Sequence, residues 1–414
     1  MQSAPSDPLA WTRDHSPILD SFRDEYAESQ PFDGYDIAVS SSLTTNTGVL
    51  IETIREAGAS SIVFTSPGAE YNEPAVIEAI RDLDGVEAFI EPEMDRDELD
   101  RERDRLLETE PDFIIEDGCV LTAKVHDEYP DIASQIKGGV EQTTFGITRL
   151  QAMDRQDVLE YPVYGVNDTP MKHYFDNVHG TGETTISGIM TTTNTLFSGA
   201  IVVIVGYGYC GRGVARKAKG MGACTIVTEI DPRNALEARM DGHWVMPMAE
   251  AAPIGEYFVA ASGNIDVIRE EHFDMMSDGA IVASAGTGLE IATEDLDDMA
   301  SETSDPMPGI TRYHLPDGRQ INILANGYVV NLAGPNVTGH PAEVMDMTFA
   351  MMFIGAYDML TNNPDLSPGL HAIPDHLDRK VASKALEGMG VEIDEMTDQQ
   401  RKQLDDWAHA KGRL

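Results

Sequence analysis

Apolar and polar positions follow two alternating rhythms along this chain. Short runs of four or five apolar residues, many β-branched, are each followed by a stretch whose apolar positions fall three or four apart. The first rhythm predicts strands buried on both faces and the second predicts amphipathic helices between them. Strands are expected at 36–41, 61–65, 86–90 and 113–116, and helices at 47–58, 73–83 and 95–109. A polar lead-in with a helix near 16–27 comes first. The glycine-rich stretch 138–146 reads as a linker, followed by a helix to about Arg155 and an extended segment at 161–168. A helix over 181–198 leads to a second alternation, with strands at 201–205, 224–227, 257–262, 280–285 and 321–326. A Met- and Phe-rich helix is expected over 336–360. A Pro-rich tail begins at Asn363 and ends in a charged helix at 399–411. This pattern predicts an α/β fold of two doubly wound parallel-sheet domains with a C-terminal helical tail. The first domain would comprise 1–182 plus 336–372, the second 183–335, and the tail 373–414.

The second alternation contains a specific signal. Strand 201–205 runs straight into Gly206-Tyr-Gly208-Tyr-Cys-Gly211, then a helix, then a strand ending at Glu229, 18 residues beyond Gly211. The first glycine permits the turn, the second lets the backbone approach a pyrophosphate, and the third lets helix and strand pack closely. The helix N-terminus offers free N–H groups to the phosphates. An acidic residue at Glu229 accepts hydrogen bonds from a ribose, which favours NAD over NADP. The second domain is therefore expected to be a Rossmann domain that binds NAD.

Composition narrows the setting. A chain of 414 residues exceeds the usual single core. Acidic residues number 71 against 29 basic, a net charge of −42, and they are spread over the whole length. Two readings compete, an acidic partner-binding surface and adaptation to high salt; we favour the second, because salt screens such charges over a few ångströms. No basic stripe exists to meet nucleic-acid phosphates. No apolar run approaches the ~20 residues of a membrane span, and the first residues do not read as a secretory signal, so a cytoplasmic protein is expected. Cys119, Cys210 and Cys224 are too few and scattered for a disulfide framework or a zinc site, and no metal is expected.

The chain strongly resembles the S-adenosylhomocysteine hydrolase family. The match is carried by collinear motifs: Thr47-Gly-Val-Leu-Ile-Glu-Thr-Ile54, Glu116-Asp-Gly118, Asn167-Asp168, Lys172, Phe175-Asp-Asn177, Gly206-Tyr-Gly208, Val227-Thr-Glu-Ile-Asp-Pro232, Asn234-Ala-Leu236, Gly263-Asn-Ile-Asp266, Asp278-Gly-Ala-Ile281, Val330-Asn-Leu332 and Gly339-His-Pro341. The resemblance implies a permanently bound NAD that oxidises the 3′-hydroxyl of adenosine. The C4′ proton then becomes acidic, homocysteine leaves C5′, water adds and the ketone is reduced again. It implies catalytic roles for Lys172, Asp176, Asp117 and His340. It also implies substrate contacts at Thr44, Asn46, Gln142, Met345 and Phe349, although Met345 and Phe349 also read as a core stripe on their helix. Cofactor contacts are implied at Thr143, Thr144, Asn177, Gly206, Gly208, Tyr209, Cys210, Gly211, Arg212, Gly213, Glu229, Asn234, Asn264, Ala285, Gly286, Thr287 and Asn331. A homo-oligomer, tetramer or dimer, is implied too.

The match is uneven. Family histidines align with Ser42 and Thr287, a glutamate with Gln142 and a cysteine with Thr181; the third threonine of a TTT run is Phe145. Ser, Thr and Gln do not titrate near neutral pH, so the redox end is intact while the C5′ end is altered. Three functions stay open: S-adenosylhomocysteine hydrolysis, NAD-dependent 3′-oxidation of another nucleoside or thioether, and a non-catalytic NAD-bound regulatory subunit.

Overall fold

A computed structural model describes residues 7–68, 72–92, 94–337 and 339–405. Six strands in the first half are β1 (Asp36–Ser40), β2 (Ser61–Thr65), β3 (Val86–Ala88), β4 (Phe113–Glu116), β5 (Gly138–Glu141) and β6 (Pro162–Gly165). The second half contributes β7 (Ile201–Val205), β8 (Cys224–Thr228), β9 (Trp244–Val245), β10 (Tyr257–Ala260), β11 (Ala280–Ser284), β12 (Glu302–Met307), β13 (Ile310–His314) and β14 (Gln320–Leu324). A last strand, β15 (Gly369–Ala372), follows in the tail.

Two sheets result. The first runs β15-β6-β5-β4-β1-β2-β3 and is parallel throughout. The second runs β12-β13-β14-β11-β10-β7-β8-β9, parallel except where β12, β13 and β14 pair antiparallel at one edge. Both are doubly wound, as the alternating pattern predicted. The first sheet reverses its strand order between β1 and β4, and the second between β7 and β10. A crevice forms at such a reversal because successive crossovers leave in opposite directions, and ligands bind there at the strand C-termini.

Helices α1 (Pro17–Tyr26), α2 (Thr45–Glu56), α3 (Thr144–Arg155), α4 (Thr181–Thr193), α5 (Tyr209–Gly220), α6 (Ala342–Thr361) and α7 (Asp375–Gly388) cover these sheets among others. α6 is apolar on nearly every face, and its Met347, Phe349, Met351, Met352, Phe353 and Ile354 are buried in the first core, as expected for a helix enclosed on all sides. Its Asp346 accepts the Ile18 and Leu19 amides at 2.8 and 2.9 Å, capping α1. The first part of the tail packs down: Leu377, Val381 and Ala385 of α7 join the same core.

Several expectations need correction. The stretch 138–146 is not a linker: Gly138–Glu141 is the buried strand β5, and α3 starts at Thr144. A Cβ at Gly138 would overlap the Met359 sulfur of α6, and one at Gly139 would stand 3.1 Å from the Ile114 carbonyl oxygen. The glycines are there for close packing. The Met-rich helix starts at Ala342 behind Pro341, not at 336. The helix expected over 181–198 ends at Thr193 and is preceded by a π-helix, Lys172–Gly180. The charged terminal helix spans Asp398–Asp405, and its expected remainder lies outside the described residues.

Among the described residues no helix is long and apolar enough to cross a membrane. A charge of −42 strains any compact chain by self-repulsion, and screening shortens that repulsion to ~3 Å at 1 M salt. The melting temperature is therefore expected to rise steadily between 0.1 and 2 M KCl in differential scanning fluorimetry. A flat profile would show that the acidic surface is not matched to salt.

Candidate active site

The two strand reversals face each other across one cavity of about 570 Å³. Ser41 and Ser42 after β1, Asp117 and Gly118 after β4, Gly208 after β7, and Ala261 to Gly263 after β10 all reach it.

On the second-domain side the glycine turn has the expected form. Gly206 adopts φ +99°, open to glycine at little cost. A Cβ at Gly208 would meet nothing within 4 Å, so that side is free for a ligand to approach the backbone. A Cβ on Gly211 would collide with the Gly206 carbonyl, and one on Gly213 with the Val178 carbonyl of the π-helix. Glu229, closing β8, accepts the Tyr207 amide at 2.7 Å and the Ile230 and Asp231 amides at 2.6 and 2.9 Å, which fixes the turn. Asn331 is 2% exposed; its Nδ2 donates to Thr184 at 2.7 Å, and its Oδ1, with no partner, is buried at the cavity. Open helix N-terminus, bare glycine and orphaned amide oxygen fit a dinucleotide.

The first-domain side carries the charges. Lys172 and Asp176 form an ion pair at 2.5 Å, and Lys172 Nζ donates to Asn177 Oδ1 at 2.9 Å. Lys172 thus reaches residues four and five positions on within the π-helix, and such segments concentrate at functional sites. Asp176 is 1% exposed. Burial alone would raise its pKa, but Lys172 and then His340 beside it hold it well below the usual carboxylate range. His340 Nδ1 stands 3.3 Å from Asp176 Oδ1, Thr348 of α6 donates to Oδ2 at 2.8 Å, and Gly180 leaves room for the imidazole. Asn177 Nδ2 and Thr144 Oγ1 both donate to Asn167 Oδ1, at 3.0 and 3.1 Å. Asp117 lies nearby on the cavity wall, its pKa pushed up to about 6 by burial, against the pull of Lys172 and a hydrogen bond from Thr143.

The cavity brings together Thr44, Asn46, Asp117, Gln142, Thr143, Thr144, Lys172, Asp176, Asn177, Gly208, Tyr209, Cys210, Ala285, Gly286, Thr287, Asn331, His340, Met345 and Phe349. Gly206, Gly211, Arg212, Gly213, Glu229 and Asn234 lie off its lining, Gly206 in the turn, the next three in α5, Glu229 after β8 and Asn234 in the helix that follows. Asn264 is exposed, its Oδ1 accepting the Ile265 amide at 2.9 Å, and it does not line the cavity. Arg212 turns away to pair with Glu237 at 2.7 Å. Met345 and Phe349 are buried in the core and also line the cavity.

Sequence reasoning missed the residues that shape the loops. Glu290, fully buried, accepts the Ser262 and Gly263 amides at 2.6 and 2.7 Å and the Thr287 amide at 3.1 Å, joining the two loops after β10 and β11. Glu141 plays the same part after β4, accepting the Gly118, Cys119 and Thr143 amides at 2.9, 2.7 and 2.7 Å. A glutamate inside an apolar strand was the available signal for Glu141.

Comparison with known proteins agrees with this architecture. Residues 177–337 match the model described as S-adenosyl-L-homocysteine hydrolase, NAD binding domain, and residues 8–129 match S-adenosyl-L-homocysteine hydrolase. An adenosylhomocysteinase of Aquifex aeolicus is 42% identical over 96% of this chain and 95% of its own. One of Haloquadratum walsbyi is 43% identical over 97% and 93%, and an S-inosyl-L-homocysteine hydrolase of Methanopyrus kandleri is 40% identical over 97% and 94%. The chain belongs to the S-adenosyl-L-homocysteine hydrolase family and carries that family's NAD-binding domain.

Proposed function

We propose that the protein catalyses the NAD-dependent, reversible hydrolysis of S-adenosylhomocysteine to adenosine and homocysteine. The observation that carries this reading is the Lys172–Asp176–Asn177 cluster, which faces the glycine turn across a single cavity. NAD, held by the turn at 206–211, Glu229, Thr143, Thr144, Asn177 and Asn331, would supply a hydride acceptor that is restored within the turnover. Lys172, once its ammonium has given up its own proton, takes the proton from the 3′-hydroxyl. Asp176, kept ionised, grips the ribose hydroxyls. Asp117 takes and returns a proton at C4′ and C5′, and His340, 3.3 Å from Asp176, stands near the substrate entrance. The test is incubation of NAD-loaded protein with adenosine and homocysteine in molar salt. Thioether should form by mass spectrometry, and its absence would overturn the reading. The same proposal places the enzyme in the cytoplasm as a homo-oligomer, which light scattering checks.

A second reading has its own support. Ser42, Gln142, Thr181 and Thr287 line the cavity and none titrates near neutrality. Oxidation of another nucleoside, with altered chemistry at C5′, would need only the redox cluster. Reduction of the bound cofactor by a nucleoside, with no thioether made or broken, favours it.

The base is read at Asn46. Its Nδ2 donates to the His340 carbonyl at 3.1 Å, which can only accept, so the amide orientation is fixed. Its Oδ1, buried without a partner, is left for an incoming donor. A 6-amino purine offers its exocyclic N–H there, whereas a 6-oxo purine carries an acceptor at that position and a donor only at the neighbouring N1–H. Adenosine is therefore expected to be used over inosine by about 5–100-fold in kcat/KM, the worth of one buried hydrogen bond. Asn46→Ala should erase the preference, and equal use by the unaltered protein would contradict it.

A further inference from the structure

The residue after Lys172 makes a contact that the chemistry above does not use. The His173 ring stacks on Tyr209, the first residue of α5, with centroids 4.0 Å apart and planes 18° from parallel. The Arg212 guanidinium lies 5.1 Å from the centre of the same tyrosine ring, and Glu237 anchors it. The imidazole nitrogens have weaker company, with Asn167 at 3.4 Å and Asp168 at 3.9 Å from Nε2. Burial draws the His173 pKa below its ordinary value, so near neutral pH the ring is an uncharged aromatic surface.

The place of this stack matters. The π-helix is fastened to α5 near its far end, where Gly213 packs directly on the Val178 carbonyl. The stack fastens its near end, one residue from Lys172, to the turn that would hold the pyrophosphate. A π-helical segment is rarely sustained on its own hydrogen bonds. Two braces onto one helix hold it as a rigid strut between the domains.

We propose that His173 and Tyr209 are positioning residues, whose aromatic stack sets the distance between Lys172 and the nicotinamide end of the cofactor site. The activity part of this inference rests on the proposed function; the binding part does not. Full-length H173A, Y209A, H173F and Y209F are loaded with NAD and compared by two measurements. The first is the rate of NAD loss on dilution into cofactor-free buffer. The second is the rate at which adenosine generates the near-ultraviolet band of the reduced cofactor. Melting temperatures identify any variant that fails to fold, and His173, only partly buried, provides the milder truncation. Loss of an aromatic pair should speed NAD loss by about 3–10-fold. Displacement of Lys172 by even ~1 Å should slow reduction by up to about 100-fold. H173F and Y209F, which keep a flat ring, should recover both. Alanine variants that retain NAD like the unaltered protein would overturn the proposal. So would H173F failing as badly as H173A, which would assign the role to the imidazole nitrogens. If no nucleoside reduces the cofactor in the unaltered protein, the proposed function fails, while the NAD-loss rates still decide the stack.

Discussion

Replacing Lys172 with methionine is expected to slow reduction of the bound cofactor by adenosine by about 10²–10⁴-fold, the worth of one general base. Methionine keeps much of the volume and removes the group proposed to accept the proton. The same change exposes how the site is held. Asp176 is almost fully buried, with Lys172 at 2.5 Å as its closest countercharge and the His340 imidazole 3.3 Å away. Removing one partner of a buried pair costs roughly 3–5 kcal/mol, so the single variant should also melt well below the unaltered protein. Because the Asp176 pKa is depressed, the stability it contributes is fully present above about pH 4, its unfolded value, and is lost as pH falls further. Assays near neutral pH therefore see the whole effect. The double variant Lys172→Met/Asp176→Asn removes both charges and should regain stability without regaining activity. Recovery of activity in the double variant would show that the lysine acts only as a countercharge. The readouts are the reduced-cofactor band and thermal melting.

Replacing Asp117 with asparagine should separate the two halves of the reaction. Thioether formation is expected to fall by about 10²–10⁴-fold, while adenosine still reduces the cofactor, so reduced enzyme accumulates. The wild-type rate should fall as pH drops through about 6, where Asp117 takes up a proton and can no longer accept one. That acid limb should vanish in the variant. The stability effect has the opposite sign. A carboxylate whose folded pKa is raised binds its proton more tightly when folded, so stability falls as pH rises from about 4 to about 6 and the penalty persists above. Asp117→Asn should thus be more stable than the unaltered protein at pH 7–8 and less active. Equal loss of cofactor reduction and thioether formation would place Asp117 at the redox end instead.

The fold was legible where local and global preferences coincide. The β-branched runs at β1, β2, β4, β7 and β8 were readable because parallel strands are buried on both faces. β5 was hidden by a glycine needed under α6, by a second packed against Ile114 of β4, and by a glutamate needed for the loops beside it. β12 was hidden because all six of its residues are exposed, so no apolar pattern marks it. The π-helix was invisible because nothing in KHYFDNVHG distinguishes i→i+5 winding from an ordinary helix, and its shape is set by contacts with α4, α5 and α6. The site divides likewise. The glycine turn and Glu229 lie within one local βαβ unit and could be read in order. The pairing of His340 and Thr348 with Asp176 joins residues more than 160 positions apart, and no spacing rule reaches that far. The fixed orientation of the Asn46 amide also depends on a carbonyl 294 residues away.

The most direct measurement is the absorbance of purified, NAD-loaded protein on mixing with adenosine in molar salt. The geometry around Lys172 predicts that the band of the reduced cofactor appears and that homocysteine then discharges it with formation of the thioether. No band from protein shown to contain NAD, with adenosine at saturating concentration, would contradict the assignment of this cavity to nucleoside oxidation.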